Sequence, residues 1–154
     1  MKKFSLKHLI IVLTFSVLIL AADRIFKYAA LNNLNNDIKL IDGFLKLSLQ
    51  KNIGIAFSIG LPMTFQLFIF PVLAGVGIYF VVKYLDIKNI FLLIITGSIA
   101  GAALSNFFDR LILGYVIDYI SVSYFPVFNF ADMVIVCGIF IIITFYGKIK
   151  RVQI

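Results

Sequence analysis

Ile90-Phe-Leu-Leu-Ile-Ile-Thr-Gly-Ser-Ile-Ala-Gly-Ala-Ala-Leu-Ser-Asn-Phe-Phe108 carries no charge over nineteen residues and is followed at once by Asp109 and Arg110. At about 1.5 Å per residue, such a run matches the helix needed to cross a hydrocarbon core of about 30 Å. Gly97, Gly101 and Ser105 recur every four residues, a small-residue stripe suited to close packing against a second helix. Ser98, Ala102, Asn106 and Arg110 form the adjacent stripe, which ends in an amide and a guanidinium. The stretch therefore predicts a membrane helix with one polar end.

Three other stretches share its apolar density, so spans are expected at 9–31, 65–82, 90–108 and 125–146. Together they predict an all-α membrane protein with four transmembrane helices, one membrane domain over 1–154, and short loops. The 62% hydrophobic content supports this, against about 45–50% in soluble domains. Mean hydropathy is +1.09. Lys2-Lys3-Phe4 followed by Leu9 to Ala22 imitates a signal peptide, but Leu20 is a poor −3 residue for cleavage after Ala22. A retained first helix is expected.

Four spans put both termini on one side. Lys2, Lys3, Lys7, Lys83, Lys88, Lys148, Lys150 and Arg151, eight of the fourteen basic residues, fall there, and the positive-inside rule makes that side cytoplasmic. Topology thus accounts for most of the +7 net charge, and nucleic acid is not an expected partner. The outer loops are then 32–64 and 109–124.

In the first outer loop Leu45, Leu47 and Leu49 alternate with Lys46, Ser48 and Gln50, the period of a strand with one apolar face. Asp42-Gly43 supplies a turn after Ile38 to Ile41, so a small extracytoplasmic β-hairpin is expected at the bilayer surface. The Asn32-Asn33-Leu34-Asn35-Asn36 cluster ends the first helix, and Pro71 locally adjusts the second.

Ionisable groups near spans are costly, and here they gather at the outer ends. Asp23, Arg24 and Lys27 close the first helix, Asn106, Asp109 and Arg110 the third, while Asn129 and Asp132 open the fourth. Asp23 and Lys27, four apart, share a helix face and suit an intrahelical ion pair. Asp132 suits a first-turn acid favoured by the helix dipole. Asp118, between Val116-Ile117 and Tyr119-Ile120, is flanked by apolar residues and is expected to be partly buried.

Elimination narrows the chemistry. All seven acidic residues are aspartates, and the one histidine, His8, lies on the cytoplasmic side, so a Ser-His-Asp arrangement cannot form in the outer layer. Metal ligands of the zinc type are lacking there, and no cofactor is expected. Cys137, alone in an apolar run, is expected to be a buried small hydrophobe. Asp118 and Asp132 remain as a carboxylate pair able to share a proton and hydrolyse an amide. Two other classes stay open: a proton-coupled exporter, and a non-catalytic scaffold subunit.

Five segments also resemble a known family. Asp23…Lys27, Lys51-Asn52-Ile53-Gly54-Ile55-Ala56-Phe57-Ser58, Gly101 to Arg110, Gly114-Tyr115-Val116-Ile117-Asp118-Tyr119 and Phe125-Pro126-Val127-Phe128-Asn129-Phe130-Ala131-Asp132 occur in the order seen in lipoprotein signal peptidase (signal peptidase II). The resemblance implies a multi-pass aspartyl endopeptidase of the bacterial cytoplasmic membrane, cleaving lipid-modified prolipoproteins just before the diacylglyceryl cysteine. It implies a monomer in contact with membrane lipids, working near the outer leaflet without metal or cofactor. Asp118 and Asp132 look like its catalytic dyad, Asn52, Asn106, Arg110 and Asn129 like site-ordering or substrate-binding groups, and Asp23, Lys27 and Asp109 like supporting ones. Ala102 and Ser105 stand where the family usually has glycine, and Phe130 where a smaller aliphatic residue is common.

Overall fold

The computed structural model describes residues 5–54 and 62–150. Ile55, Ala56, Phe57 and Ser58 of the second motif lie outside the described residues. The element order is α1 (Leu6–Asn33), β1 (Ile38–Ile41), β2 (Leu45–Asn52), α2 (Met63–Tyr84), α3 (Ile90–Leu113), β3 (Val116–Val122), α4 (Phe130–Thr144) and α5 (Tyr146–Ile149). α1, α2 and α3 are each long and apolar enough to cross a membrane, whereas α4 is shorter, at 15 residues.

Two predicted boundaries move. α3 runs five residues beyond Phe108, so Asp109 and Arg110 belong to its last turns rather than to a loop, and Gly114 (φ 80°) ends it in the left-handed conformation favoured by glycine. α4 starts at Phe130, not Phe125: Asn129 is an extended N-cap whose side chain accepts from the Asp132 N–H, and Phe128 is bridged to Ile120. Capping and strand pairing outweigh the apolarity of Phe125 to Phe128.

The small stripe on α3 packs as its spacing predicts. A Cβ on Gly97 would lie 2.6 Å from the Val12 carbonyl oxygen of α1, and one on Gly101 would overlap the Ser16 carbonyl. Without those side chains the two backbones come together along the length needed to align Asp23 and Lys27 with Ser105, Asn106 and Asp109. α4 leans on the opposite side, with Gly138 against Ile99. α2 is held less tightly, and Gln66 is its one buried residue.

The hairpin forms as expected, with Gly43 (φ 68°) in its turn. The third strand was not expected. β3 pairs antiparallel with β2, giving the order β1-β2-β3. Its run of Val, Ile, Tyr and Ile around Asp118 is rich in β-branched and aromatic residues, the composition of a strand. An irregularity between Leu47 and Gln50 inserts one extra residue into β2, so Gln50 rather than Leu49 opposes Asp118. Because strand faces alternate, this shift places Asn52 instead of Lys51 on the Asp118 face.

Leu47, Leu49 and Ile120 of the sheet pack with Ala30, Leu34, Tyr119 and Phe130, fastening the sheet to the ends of α1 and α4. At the other end, Leu85, Leu92 and Ile149 form a second small cluster. Cys137 is a correction: it is exposed on α4. The apolar run around it marks an apolar helix but does not say which of its faces is covered by protein.

Candidate active site

Five elements, α1, β2, α3, β3 and α4, converge on two connected polar layers. In the first, Lys27 Nζ lies 2.8 Å from Asp23 Oδ2 and 2.8 Å from Asp109 Oδ2, so the expected Asp23–Lys27 pair extends across to α3. Arg24 adds a 2.7 Å contact to Asp109 Oδ1 and donates from Nε to Ser105 Oγ, whose hydroxyl donates to Asp23 Oδ2 at 2.6 Å. Ser105, where a glycine would be usual, thus uses its hydroxyl as a link between two charges. Phe130, the other unusual residue, packs edge-on against Phe26 at 5.1 Å between ring centres.

This layer also anchors the elements that carry the second. Asp109 Oδ2 accepts from the Ile117 N–H of β3, and Asp23 Oδ1 accepts from the Ala131 N–H of α4. The first four N–H groups of a helix lack partners within it. In α4 those of Asn129, Phe130, Ala131 and Asp132 are taken by Asp132 Oδ2, Tyr119 Oη, Asp23 Oδ1 and Asn129 Oδ1 respectively. Asp132 is therefore the first-turn acid its position predicts, completing a capping box with Asn129.

The second layer joins the two carboxylates through amides. Asp118 Oδ1 accepts from Asn129 Nδ2 at 2.7 Å, and its Oδ2 accepts from Asn52 Nδ2 at 2.8 Å. Asp132 Oδ1 accepts from Asn106 Nδ2 at 2.8 Å, and its Oδ2 from the Asn129 backbone N–H at 3.1 Å. Among the described residues Asn129 alone is bonded to both acids. Each amide has its orientation set by what holds its oxygen: Lys27 Nζ donates to Asn106 Oδ1, Gly54 N–H to Asn52 Oδ1, and Asp132 N–H to Asn129 Oδ1. The amide N–H groups are thereby aimed at the carboxylates.

Asp118 is 1% exposed. Burial pushes its carboxyl up to about 6; the Asn52 and Asn129 amides pull it down, and the nearby Asp132 charge adds to the rise. Burial likewise pushes the neighbouring Tyr119 phenol up to about 12. Among the described residues every buried side-chain polar atom has a partner, so both layers are fully bonded networks.

All nine site residues singled out from the sequence meet here. Gln66 was missed. It is fully buried on α2, accepts from Arg110 Nε at 2.9 Å and donates to the Ile53 carbonyl at 2.8 Å. The available signal was an amide inside an otherwise apolar span, away from the polar helix ends where the other site residues gather. Arg24 and Ser105 also belong to the site as ion-pair and hydroxyl links.

The fold is one of packed apolar helices, three of them long enough to cross a membrane, that hold a fully bonded polar network at one end. The family model described as Signal peptidase (SPase) II matches residues 15–147. The chain is 35% identical over 133 residues to a lipoprotein signal peptidase of Moorella thermoacetica, covering 84% of this chain and 88% of that protein. It is 38% identical over 155 residues to one from Acinetobacter baumannii, covering 94% and 88%. A solved bacterial membrane enzyme, determined by the in meso method at 2.3 Å, superposes with a TM-score of 0.74 at 28% identity, covering 93% of each chain. The chain belongs to the signal peptidase II family, and it is a peptidase of the multi-pass membrane type.

Proposed function

We propose that the chain is an aspartyl endopeptidase that removes signal peptides from diacylglyceryl-modified prolipoproteins, cutting just before the lipidated cysteine, with Asp118 and Asp132 as its dyad. The family supplies the class of reaction. The observation carrying the catalytic assignment is that Asn129 is hydrogen-bonded to both carboxylates.

The charges support a shared proton. Asp23, Asp109, Asp118 and Asp132 face three cations, Arg24, Lys27 and Arg110. Four carboxylates against three cations balance when the pair holds one proton, which avoids a net charge in a low-dielectric layer. In the reaction one carboxylate takes a proton from water as its oxygen attacks the scissile carbonyl carbon, while the other protonates the carbonyl oxygen. Collapse of the tetrahedral intermediate breaks the C–N bond and returns a proton to the departing amine. Asn52, Asn106 and Asn129 hold the carboxylates in position, and Arg110 supplies positive charge beside them.

In this reading α4 and its apolar flanks form the fourth pass, both termini are cytoplasmic, and the pair lies near the outer leaflet, where a substrate's acyl chains stay in lipid. The protein acts as a monomer, and its sheet rests on the bilayer surface. A proton-coupled exporter loses support because its acids would line a path through the membrane, whereas these gather at one end.

The test is processing in liposomes of two precursors that differ only in diacylglyceryl modification of the cysteine. Cleavage of the modified precursor, with a new N-terminus at the lipidated cysteine, is expected. Equal cleavage of the unmodified one contradicts the substrate assignment.

A further inference from the structure

α2 is an apolar helix whose single buried residue is polar. A glutamine amide in such a layer is costly unless both its ends are bonded. Gln66 satisfies that condition by tying two other elements together: Oε1 accepts from Arg110 of α3, and Nε2 donates to the Ile53 carbonyl, one residue beyond Asn52. One turn later on the same face, Phe70 lies under the guanidinium, its ring centre 4.4 Å from Arg110 Cζ. Arg110 is held in its plane at Nε and against one face by a single pair of α2 residues.

The remaining bonds of Arg110 go to neutral acceptors, the Asn106 carbonyl at 3.1 Å and the Gly54 carbonyl at 3.5 Å. Among the described residues it has no direct ion pair, and its charge acts on Asp132, Asp118 and Asp109 through space. Its effect on the pair therefore depends on where the guanidinium is fixed. The Gly54 carbonyl it touches, together with Ile53, follows directly on Asn52, which donates to Asp118.

We infer that Gln66, with Phe70, is a positioning residue for signal-peptide cleavage: it fixes Arg110 and the Asn52–Gly54 backbone relative to the carboxylate pair. This rests on the proposed role of Asp118 and Asp132. α2 is thus a working part of the site, coupling the strand that carries Asn52 to the helix that carries Arg110. Gln66 acts through these neighbours.

The test is a double-substitution cycle in proteoliposomes with a diacylglyceryl-modified precursor. Gln66→Met keeps side-chain length and suits an apolar helix while removing both hydrogen bonds. It is expected to lower kcat/KM about 10- to 100-fold, mainly through kcat, with the unfolding midpoint in detergent shifted little, because small misplacement of a positioned group has effects of that size. Combined with Arg110→Lys, it is expected to add no more than about twofold to the loss from Arg110→Lys alone, since both disturb one unit. Phe70→Leu, which keeps the apolar contact with lipid, is expected to show a smaller loss with the same coupling, and it carries the test if Gln66→Met does not fold. Independent, multiplicative losses, or a folded Gln66→Met variant with wild-type kcat, overturn the inference. Asp118→Asn in the same assay separates the two ideas: activity there overturns the dyad, while the Gln66–Arg110 coupling is still read from the cycle.

Discussion

Asn129 donates its side-chain N–H to Asp118 Oδ1 at 2.7 Å, while its side-chain oxygen is held by the Asp132 N–H at 3.0 Å. The cap of α4 and the site are therefore one structure: the bond that starts the helix also decides which end of the amide meets Asp118. Asn106 and Asn52 repeat the device with Lys27 and Gly54 holding their oxygens.

Asn129→Asp should test that orientation. The substituted carboxylate can still cap α4, so the fold is retained, but it offers an acceptor where Asp118 needs a donor. Loss of one oriented donor at a reacting centre costs about 10²- to 10³-fold in kcat. We expect a loss of that order in precursor processing, with helical content unchanged by circular dichroism. Wild-type turnover would show that the amide does not order the pair.

The ion-pair layer should behave as a stability element. Asp109 accepts from Arg24, Lys27 and the Ile117 N–H, so Asp109→Ala leaves the buried Lys27 and the half-buried Arg24 short of a partner and frees the start of β3. Breaking a buried pair from one side costs about 3–5 kcal/mol. Unfolding in detergent should show a drop of that size, larger than for Asp37→Ala, whose pair with Lys46 is exposed. Equal, small effects of the two substitutions would contradict the role given to Asp109.

Some of this arrangement was legible in the residues. The spacing of Asp23 and Lys27 predicts their pair, Gly97 and Gly101 predict close packing against another helix, and Asp42-Gly43 predicts the hairpin, because each feature is local or strictly periodic. The third strand escaped notice because its pairing partner lies more than sixty residues away, and its apolar run was read only as burial around Asp118. The extra residue in β2 cannot be seen in an alternating pattern, yet it puts Asn52 on the Asp118 face. Gln66 was hidden because it is a lone polar residue in an apolar span that carries no other site residue, and the outward Cys137 by a rule drawn from water-soluble cores.

Asp118 also has a pH signature. Its carboxyl is raised from an ordinary 3.8 to about 6, chiefly by burial. Between those values the folded protein binds a proton that the unfolded chain does not, so its contribution to stability is full below about pH 4 and declines as pH rises to about 6. Asn at this position cannot titrate. The unfolding midpoint of Asp118→Asn relative to wild type, followed in detergent from about pH 4 to pH 7, should rise through that window and then level off. A constant difference would mean that Asp118 keeps an ordinary carboxyl.

The central claim is that Asp118 and Asp132 act together as the hydrolytic pair, and it is tested most directly by processing of a diacylglyceryl-modified precursor in liposomes. Wild type, Asp118→Asn, Asp132→Asn and the double variant are compared at equal inserted amounts. Because the two carboxylates work as a unit, each single substitution should abolish cleavage, and the double variant should be hardly worse than either. Near wild-type turnover by either single variant would show that its aspartate is not catalytic, leaving Asp132 as a helix-capping acid or Asp118 as a buried structural one.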